Sequence, residues 1–314
     1  IYTNTESSAA SDVYKRQGLR GAQISEMAAL QRAGCPVMSH ADRPLRDTLV
    51  QRRAMEYAAT FGLRVVLRPQ DHYLRANGCA HEGPVSARLG LPGIPEAAET
   101  VALARDLALA EQTGARVHFR GLSCARAVAM LADARGRGLP ATADVSAHQL
   151  FLTEEDLAGF NSNCHLDPPL RTAADRASLR DAVARGLIDA VCSDHQPHEE
   201  DAKLAPFPAT EPGITALETL LPLVLRLVEE GVLDLPGAIA RLTAGPAAIL
   251  GIPVGGLAPG SVADVCVFDP EARWVVSAGT LLSQGRNTPF LGQAMRGRVS
   301  WTLLAGRVVF ERAG

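Results

Sequence analysis

The sequence of 314 residues lacks the features that mark several classes of protein. Its six cysteines include no Cys-x-x-Cys pair, which suits a reducing compartment rather than a disulfide framework or a zinc-ribbon site. The longest apolar stretch, residues 214–233, is interrupted by Glu218 and Arg226, so it predicts a buried helix rather than a membrane span. No charged segment followed by an apolar run opens the sequence, so no signal peptide is indicated and we expect a soluble, cytoplasmic protein.

Neither sign of charge dominates the sequence. Its 31 Lys and Arg residues against 34 Asp and Glu residues give a formal net charge of −3. This balance argues against nucleic acid or an anionic membrane surface as the main partner. Lysine is scarce, because Lys15 and Lys203 are the only two in the chain. With 47% apolar and 21% charged residues, the composition is that of a globular protein and excludes a disordered or fibrous one.

Residues 1–17 differ in character from the remainder of the sequence. They are polar, rich in Ser and Thr, and show neither periodicity nor an apolar face. We therefore expect a disordered or non-native tail here. On this interpretation the natural protein begins upstream of Gly18, and the chain is an N-terminally truncated copy.

From Gly18 onward, segments with helical periodicity alternate with short apolar runs. Each helical segment ends in glycine, as helix C-termini prefer, and continuous apolar runs are typical of strands buried on both faces. The repeated order of helix, glycine and strand predicts parallel βα units. Helices are expected at 24–34, 46–62, 94–114, 123–138 and 176–186, and strands at 35–39, 63–68, 115–119, 139–146 and 187–193.

Two α/β architectures fit this pattern, a doubly wound open sheet and a closed (β/α)₈ TIM barrel. No GxGxxG or GxxxxGK[ST] motif follows a strand, which weakens the nucleotide-binding forms of the open sheet. Polar residues cluster just past the strand ends, where barrel enzymes carry their chemistry, so an incomplete barrel is favoured. These residues are His40, Arg68, Gln70, Asp71, Arg120, His148, Asp194, His195 and His198. Beyond Leu250, β-rich runs between glycine turns predict a small additional sheet.

The segment Cys192–His198, CSDHQPH, is the strongest single motif. A carboxylate at a strand end followed by two histidines can bind a metal, act as a general base, or do both. Alternatively, Asp194 caps a helix or pairs with a nearby arginine. The spacing alone leaves both interpretations open.

The other histidines are weaker candidates. His40, His118 and His148 follow or end predicted strands, where histidines are more often hydrogen-bonded core residues than metal ligands. His72, His81 and His165 lie in predicted loops and are expected to be solvated.

Two further loops could hold a ligand. In HLDPPLRT, residues 165–172, two prolines make a rigid loop that could hold Asp167 or Arg171 against a ligand, although a structural turn is the alternative. In TEPGIT, residues 210–215, backbone N–H groups before a helix could hold an anion, whereas Gly213 could equally be only a turn residue.

Taken together, these residues resemble the dihydroorotase family, of the type that associates with aspartate transcarbamoylase. The resemblance runs from about Ile24 to Phe310 and rests on a collinear set of stretches. These are RRAMEYAATFGLRVV, HEGPVSARLGLPGIPEAAETVALARDLA, LDPPLRT, SDHQPHEEDAKLAPFPATEPGI, LTAGPAAILGIPVGGLAPGSVADVCVFDP and GRNTPFLG. The family fold implies a TIM barrel over residues 18–251 that lacks its first three strands. It also implies a partial C-terminal β-sandwich over residues 252–314.

Active members of this family use two zinc ions to interconvert carbamoyl aspartate and dihydroorotate, and most of the implied ligand positions differ here. The HxH pair of the first strand falls upstream of Gly18. At three later positions the family's Asp, His and His correspond to Ala41 in SHAD, Arg68 in LRPQD and Gly121 in HFRGLS. Of the four ligand positions within this sequence, only Asp194 keeps its family residue. In the family, the Asp that corresponds to Ala41 bridges the two zinc ions. No lysine lies at a strand end to replace this bridging ligand, so we expect no metal.

These differences lead to specific expectations for the site. A guanidinium at position 68 would repel Zn²⁺ and compete for Asp194, so Arg68 and Asp194 are expected to form an ion pair. Asp167 stands where the family usually has Asn, and its charge would repel an anionic substrate unless Arg171 or Arg68 pairs with it. The resemblance assigns Asp167, His198 and Gly213 to substrate-binding positions.

The resemblance is greatest to a branch of catalytically silent pseudo-dihydroorotases. We therefore expect a non-catalytic subunit that supports assembly of the aspartate transcarbamoylase catalytic subunit, with homo-oligomerisation left open. The alternative is a zinc-dependent dihydroorotase in which Asp194 is a metal ligand or general base. A structural barrel without a partner is a third, weaker candidate. An open barrel of five strands is also expected to be poorly stable in isolation.

Overall fold

The computed structural model describes residues 24–40, 45–253 and 256–312. The expectations for residues 1–17 and for Ala41 lie outside these residues. The helices are α1 (Met27–Arg32), α2 (Thr48–Thr60), α3 (His72–Arg75), α4 (Pro84–Leu89), α5 (Ala97–Thr113), α6 (Ala125–Gly136), α7 (Ala173–Ala184), α8 (Leu217–Glu229), α9 (Leu235–Ala240) and α10 (Ala244–Leu250). The strands are β1 (Val37–Ser39), β2 (Arg64–Leu67), β3 (Ala80–His81), β4 (Gly93–Ile94), β5 (Arg116–Phe119), β6 (Ala141–Ser146), β7 (Ala190–Cys192), β8 (Val265–Val275), β9 (Ala294–Leu304) and β10 (Arg307–Glu311).

A parallel sheet of five strands, in the order β1-β2-β5-β6-β7, forms the centre of the molecule. All five strands and their preceding or intervening helices occur where the glycine-ended pattern predicts them. Over the described residues the sheet has no further strand, in agreement with an incomplete barrel. Because every strand runs the same way, the residues that follow each strand meet at one edge of the sheet.

Local sequence explains why these helices begin and end where they do. Asp47 precedes α2, and its carboxylate accepts hydrogen bonds from the amides of Leu49 and Val50. The glycines that end the five predicted helical segments all adopt positive φ, the left-handed conformation that a side chain disfavours. They are Gly34, Gly62, Gly114, Gly138 and Gly186.

The C-terminal part forms a separate antiparallel sheet in the order β10-β9-β8, which confirms the predicted small sheet. Helix α8 packs against β9. Gly297 allows this contact, because a Cβ at that position would lie 2.3 Å from a methyl carbon of Leu225. A second layer of a β-sandwich remains a prediction. No helix in the described part of the chain has the length and apolar character needed to cross a membrane.

Candidate site at the ends of the parallel strands

The ends of β2, β5 and β7 bring three of the implied ligand positions to one edge of the sheet. Arg68 directly follows β2, Gly121 lies two residues after β5, and Asp194 lies two residues after β7. The ends of β2 and β5 are joined directly, because the amide of Arg120 donates to the carbonyl of Leu67 over 2.8 Å. The fold therefore assembles the region in which the family carries its chemistry.

Asp194 is paired with a guanidinium, but not with the expected one. Arg120 Nη2 lies 3.1 Å from Asp194 Oδ1. The expected ion pair between Arg68 and Asp194 is wrong, since these two described residues form no ion pair with each other. The backbone of Asp194 has a φ of +46°, a conformation uncommon for a residue other than glycine, so the local fold holds this carboxylate in place at some cost.

Arg68 pairs instead with Asp167, through Nη2 and Oδ1 at 2.8 Å. Arg75 lies 3.2 Å from the other oxygen of the same carboxylate, and Gln70 Nε2 donates to Oδ1 over 2.7 Å. Burial alone raises the pKa of Asp167, but the charges of Arg68 and Arg75 and these hydrogen bonds lower it below its usual value. Asp167 is therefore a charged, compensated carboxylate, as expected if Arg68 were its partner.

The alternative partner, Arg171, has a different role. It is 3% exposed and forms an ion pair with Glu99, with 3.4 Å between Nη2 and Oε2. Its other nitrogens donate to Ser123 Oγ and to His81 Nδ1. This buried network ties the loop after Pro169 to α5, to β3 and to the segment after β5, so Arg171 stabilises the loop.

Three histidines near the strand ends are buried core residues. The ring of His118 contacts Thr142 Oγ1 and Asp144 Oδ2, each at 2.9 Å, which leaves neither nitrogen for a metal. His40 Nε2 accepts the backbone N–H of Arg68 over 3.1 Å. His148 is 2% exposed, and burial lowers its pKa to about 4, so it is neutral at physiological pH. The core interpretation is confirmed for His40 and His118.

The three histidines of the predicted loops differ in their exposure to solvent. His72 is exposed, as predicted, and His81 is half-buried. The prediction for His165 is wrong, because it is 4% exposed. Its ring stacks on Phe207 at 5.0 Å and its Nδ1 lies 2.7 Å from Thr210 Oγ1. These partners are distant in sequence, so the loop composition around His165 carried no signal of its burial.

The segment before α8 is a turn rather than an anion cradle. The amides of Gly213, Thr215 and Ala216 donate to His165 O, Asn287 O and His195 Nδ1 respectively. Gly213 has a φ of +148°, and a Cβ there would lie 2.7 Å from the carbonyl oxygen of Gln196. The Nε2–H of His198 donates to Pro212 O over 3.1 Å. His198 and Gly213 therefore hold the loop together, and the turn alternative is supported.

The side chains at the strand ends do not fit a pair of zinc ions. Position 68 offers a cation, Gly121 has no side chain, and Asp194 is held by Arg120. Within residues 24–40, 45–253 and 256–312, no three His, Cys, Asp or Glu side chains are placed to hold a metal together. The cavity that borders both Arg68 and Gly121 has a volume of about 10 Å³, room for roughly one water molecule.

Three residues of this site were not assigned a role from the sequence, namely Gln70, Arg75 and Arg120. The sequence marks Gln70 and Arg120 only as polar residues that follow a strand. Arg75 lies in α3, whose N-terminus is capped by Asp71. The approach of Asp167 and Asp194 to these side chains depends on how neighbouring strands and loops meet. A single sequence does not show that arrangement.

Comparison with known proteins agrees with the fold and the resemblance. The sequence profile of the amidohydrolase family matches residues 78–309, and that of the dihydro-orotase-like family matches residues 14–125. A dihydroorotase-like protein of Pseudomonas aeruginosa is 50% identical over 295 residues, covering 94% of this chain and 70% of the relative. A dihydroorotase of Anaeromyxobacter dehalogenans is 42% identical over 297 residues, covering 94% of this chain and 69% of the relative.

Among solved structures, a D-hydantoinase superposes with a TM-score of 0.77 at 26% identity. The match covers 89% of this chain and 65% of the hydantoinase chain, so this chain spans about two thirds of the length of that protein. The five parallel strands thus correspond to part of an amidohydrolase (β/α)₈ barrel. The chain belongs to the amidohydrolase family and, within it, to the dihydroorotase-like proteins.

Proposed function

We propose that the protein is a catalytically silent dihydroorotase-like subunit of pyrimidine biosynthesis that supports assembly of aspartate transcarbamoylase. The observation that carries the loss of catalysis is the pair of guanidinium–carboxylate contacts, Arg120–Asp194 and Arg68–Asp167. Arginine stays protonated at every physiological pH, so neither guanidinium can become a metal ligand. Zn²⁺ would have to displace Arg120 from Asp194 while remaining close to a second fixed positive charge.

The remaining donors support the same proposal. A catalytic zinc ion needs at least three protein ligands, and among the implied ligand positions that the structure describes only Asp194 carries a side chain that can bind zinc. His40, His118 and His195, three histidines close to these ends, each already use a ring nitrogen in a hydrogen bond. The relative with 50% identity is itself named a dihydroorotase-like protein, which is consistent with this proposal.

The partner part of the proposal comes from the sequence resemblance to the transcarbamoylase-associated branch. A barrel that keeps its packing residues while losing metal ligands retains a surface on which another subunit can assemble. The buried network around Arg171 and the hydrogen-bonded loop at His198 and Gly213 keep these loops packed without needing a substrate.

A second candidate is a zinc-dependent dihydroorotase that interconverts carbamoyl aspartate and dihydroorotate. The retained Asp194 favours it, as do relatives at 42% identity that are named dihydroorotase. In this candidate Asp194 would serve as ligand or general base once Arg120 had moved away from it.

Turnover and metal content distinguish the two candidates. We expect the full-length protein, purified with added zinc, to show no dihydroorotate hydrolysis above the buffer rate, and the Anaeromyxobacter dehalogenans relative to be the active control. Zinc-dependent turnover that disappears in Asp194→Asn would contradict catalytic silence.

The assembly role has its own test. The full-length protein is expected to elute together with the transcarbamoylase catalytic subunit in size-exclusion chromatography and to raise its specific activity. Separate elution with unchanged transcarbamoylase activity would refute this role while leaving the catalytic conclusion intact.

A further inference from the structure

An apolar groove of about 500 Å³ lies on the face of the molecule formed by the loops that follow the parallel strands. One wall is the end of α4 at Leu89, the second is Phe160, and the third is the segment from Lys203 to Pro208. Leu204 is 72% exposed and Phe160 is 50% exposed. Two large apolar side chains so exposed on one groove form the type of surface that usually contacts another molecule.

The walls of the groove are fixed by internal contacts. Lys203 is 9% exposed, and its ammonium group donates to the carbonyl of Glu211 over 2.6 Å and to that of His165 over 3.4 Å. Phe207, stacked on His165, forms the buried floor. Phe160 has a φ of +59°, a strained backbone conformation for an aromatic residue, yet its ring points into solvent. A groove held open in this way loses little conformational entropy when a ligand binds.

Acidic residues predominate in the three segments that form the rim of the groove, whereas the residues that line the groove itself include no acidic side chain. Residues 84–91, 154–162 and 199–211, which supply the walls, hold seven acidic and two basic residues. The two basic residues are Arg88, which pairs with Glu155 at 3.2 Å, and the buried Lys203. Glu199, Glu200 and Asp201 are exposed. Burial and then the nearby Glu155 carboxylate raise the pKa of Glu154, in keeping with crowding of negative charge.

We propose that this acidic-rimmed groove binds a segment of another polypeptide, one that presents apolar side chains between lysines or arginines. The apolar walls would bury its anchoring side chains, and the rim carboxylates would attract its basic residues and exclude acidic segments. The proposal does not depend on whether the chain is catalytically silent.

The binding test uses two synthetic fluorescein-labelled peptides of 15 residues. Both carry the same Leu and Phe anchors, and they differ only in flanks of arginine or of glutamate. We expect the arginine-flanked peptide to bind with a Kd at least tenfold lower than the glutamate-flanked one in fluorescence anisotropy. Raising NaCl from 50 to 300 mM should weaken its binding several-fold, because salt screens the rim. Equal affinities, or no binding by either peptide, would overturn the proposal.

Variants locate the binding to the groove. Leu204→Ser and Phe160→Gly should each raise the Kd for the arginine-flanked peptide at least fivefold. Both should fold normally, because Leu204 is exposed and glycine tolerates the positive φ of position 160. The matched control is Leu49→Ser on α2, which removes a leucine of 51% exposure outside the groove and should leave the Kd unchanged. Equal losses in all three variants would contradict the assignment.

A second copy of the chain is the competing occupant. Sedimentation velocity of the wild type and of Leu204→Ser distinguishes it from the proposed partner. The same oligomeric state in the wild type and in Leu204→Ser supports the proposal. A wild-type dimer that dissociates in the Leu204→Ser variant would overturn it.

Discussion

Arg68 and Asp167 depart from the family pattern at two different positions, and their contact predicts that the two changes are energetically coupled. At the observed 2.8 Å, the attraction between unit charges is about 6 kcal/mol for an effective dielectric constant of about 20. The side chains are 8% and 14% exposed, so desolvation cancels much of this attraction. We therefore expect a net coupling of about 2 kcal/mol, within the range of about 0.5–3 kcal/mol for contacting residues.

The assay is a double-mutant cycle in urea at pH 7 with Arg68→Leu, Asp167→Asn and the double variant. Arg68→Leu should lower the free energy of unfolding less than Asp167→Asn does. In the Arg68→Leu variant, Asp167 keeps Arg75 and Gln70 as partners. The double variant should be less destabilised than the sum of the two single variants. As a control, the Arg52–Glu56 pair, exposed by 44% and 46%, should couple by about 0.3–0.5 kcal/mol.

The coupling should also depend on pH in a defined direction. The pKa of Asp167 is lowered in the folded protein, so its contribution is present above the ordinary carboxyl pKa of about 4 and is lost as pH falls through the lowered value. A coupling below about 0.5 kcal/mol at pH 7, or one that grows on acidification, would refute the assignment of Asp167 as the compensating charge of Arg68.

Two further predictions concern stability. Burial raises the pKa of Asp106 from 3.8 to about 6, so wild-type stability should fall by up to about 3 kcal/mol as pH rises from about 4 to 7. Asp106→Asn keeps an acceptor for Gln51 and should flatten the pH dependence of the unfolding free energy measured in urea titrations. The same pH dependence in Asp106→Asn would contradict its assignment to Asp106. Gly213→Ala should lower the unfolding free energy by about 2 kcal/mol or more, because its Cβ would meet the Gln196 carbonyl, and an unchanged thermal midpoint would exclude that clash.

Periodicity and glycine placement were sufficient to predict the five parallel strands and their helices. Those signals are local, since a buried strand needs a continuous apolar run and a helix end favours glycine at positive φ. The same local signals located the residues past the strand ends, including Arg68, Arg120 and Asp194. The C-terminal sheet was also recognisable from its glycine-separated β-rich runs.

The partners within the site could not be predicted in the same way. Asp194 contacts Arg120 rather than Arg68, in keeping with the strand order, since β5 lies two strands from β7 and β2 lies three strands from it. His165 is buried through contacts with Thr210 and Phe207, more than forty residues away. Such contacts are tertiary, so loop composition alone assigned His165 to solvent.

If guanidinium groups stand in place of divalent cations at the strand ends, Asp194 binds no zinc. The most direct test is an anomalous difference map at the zinc edge, measured on crystals of the full-length protein grown with excess zinc. We expect no zinc peak beside Asp194, with Arg120 in contact with the Asp194 carboxylate. A peak coordinated by the Asp194 carboxylate, with Arg120 displaced, would contradict it.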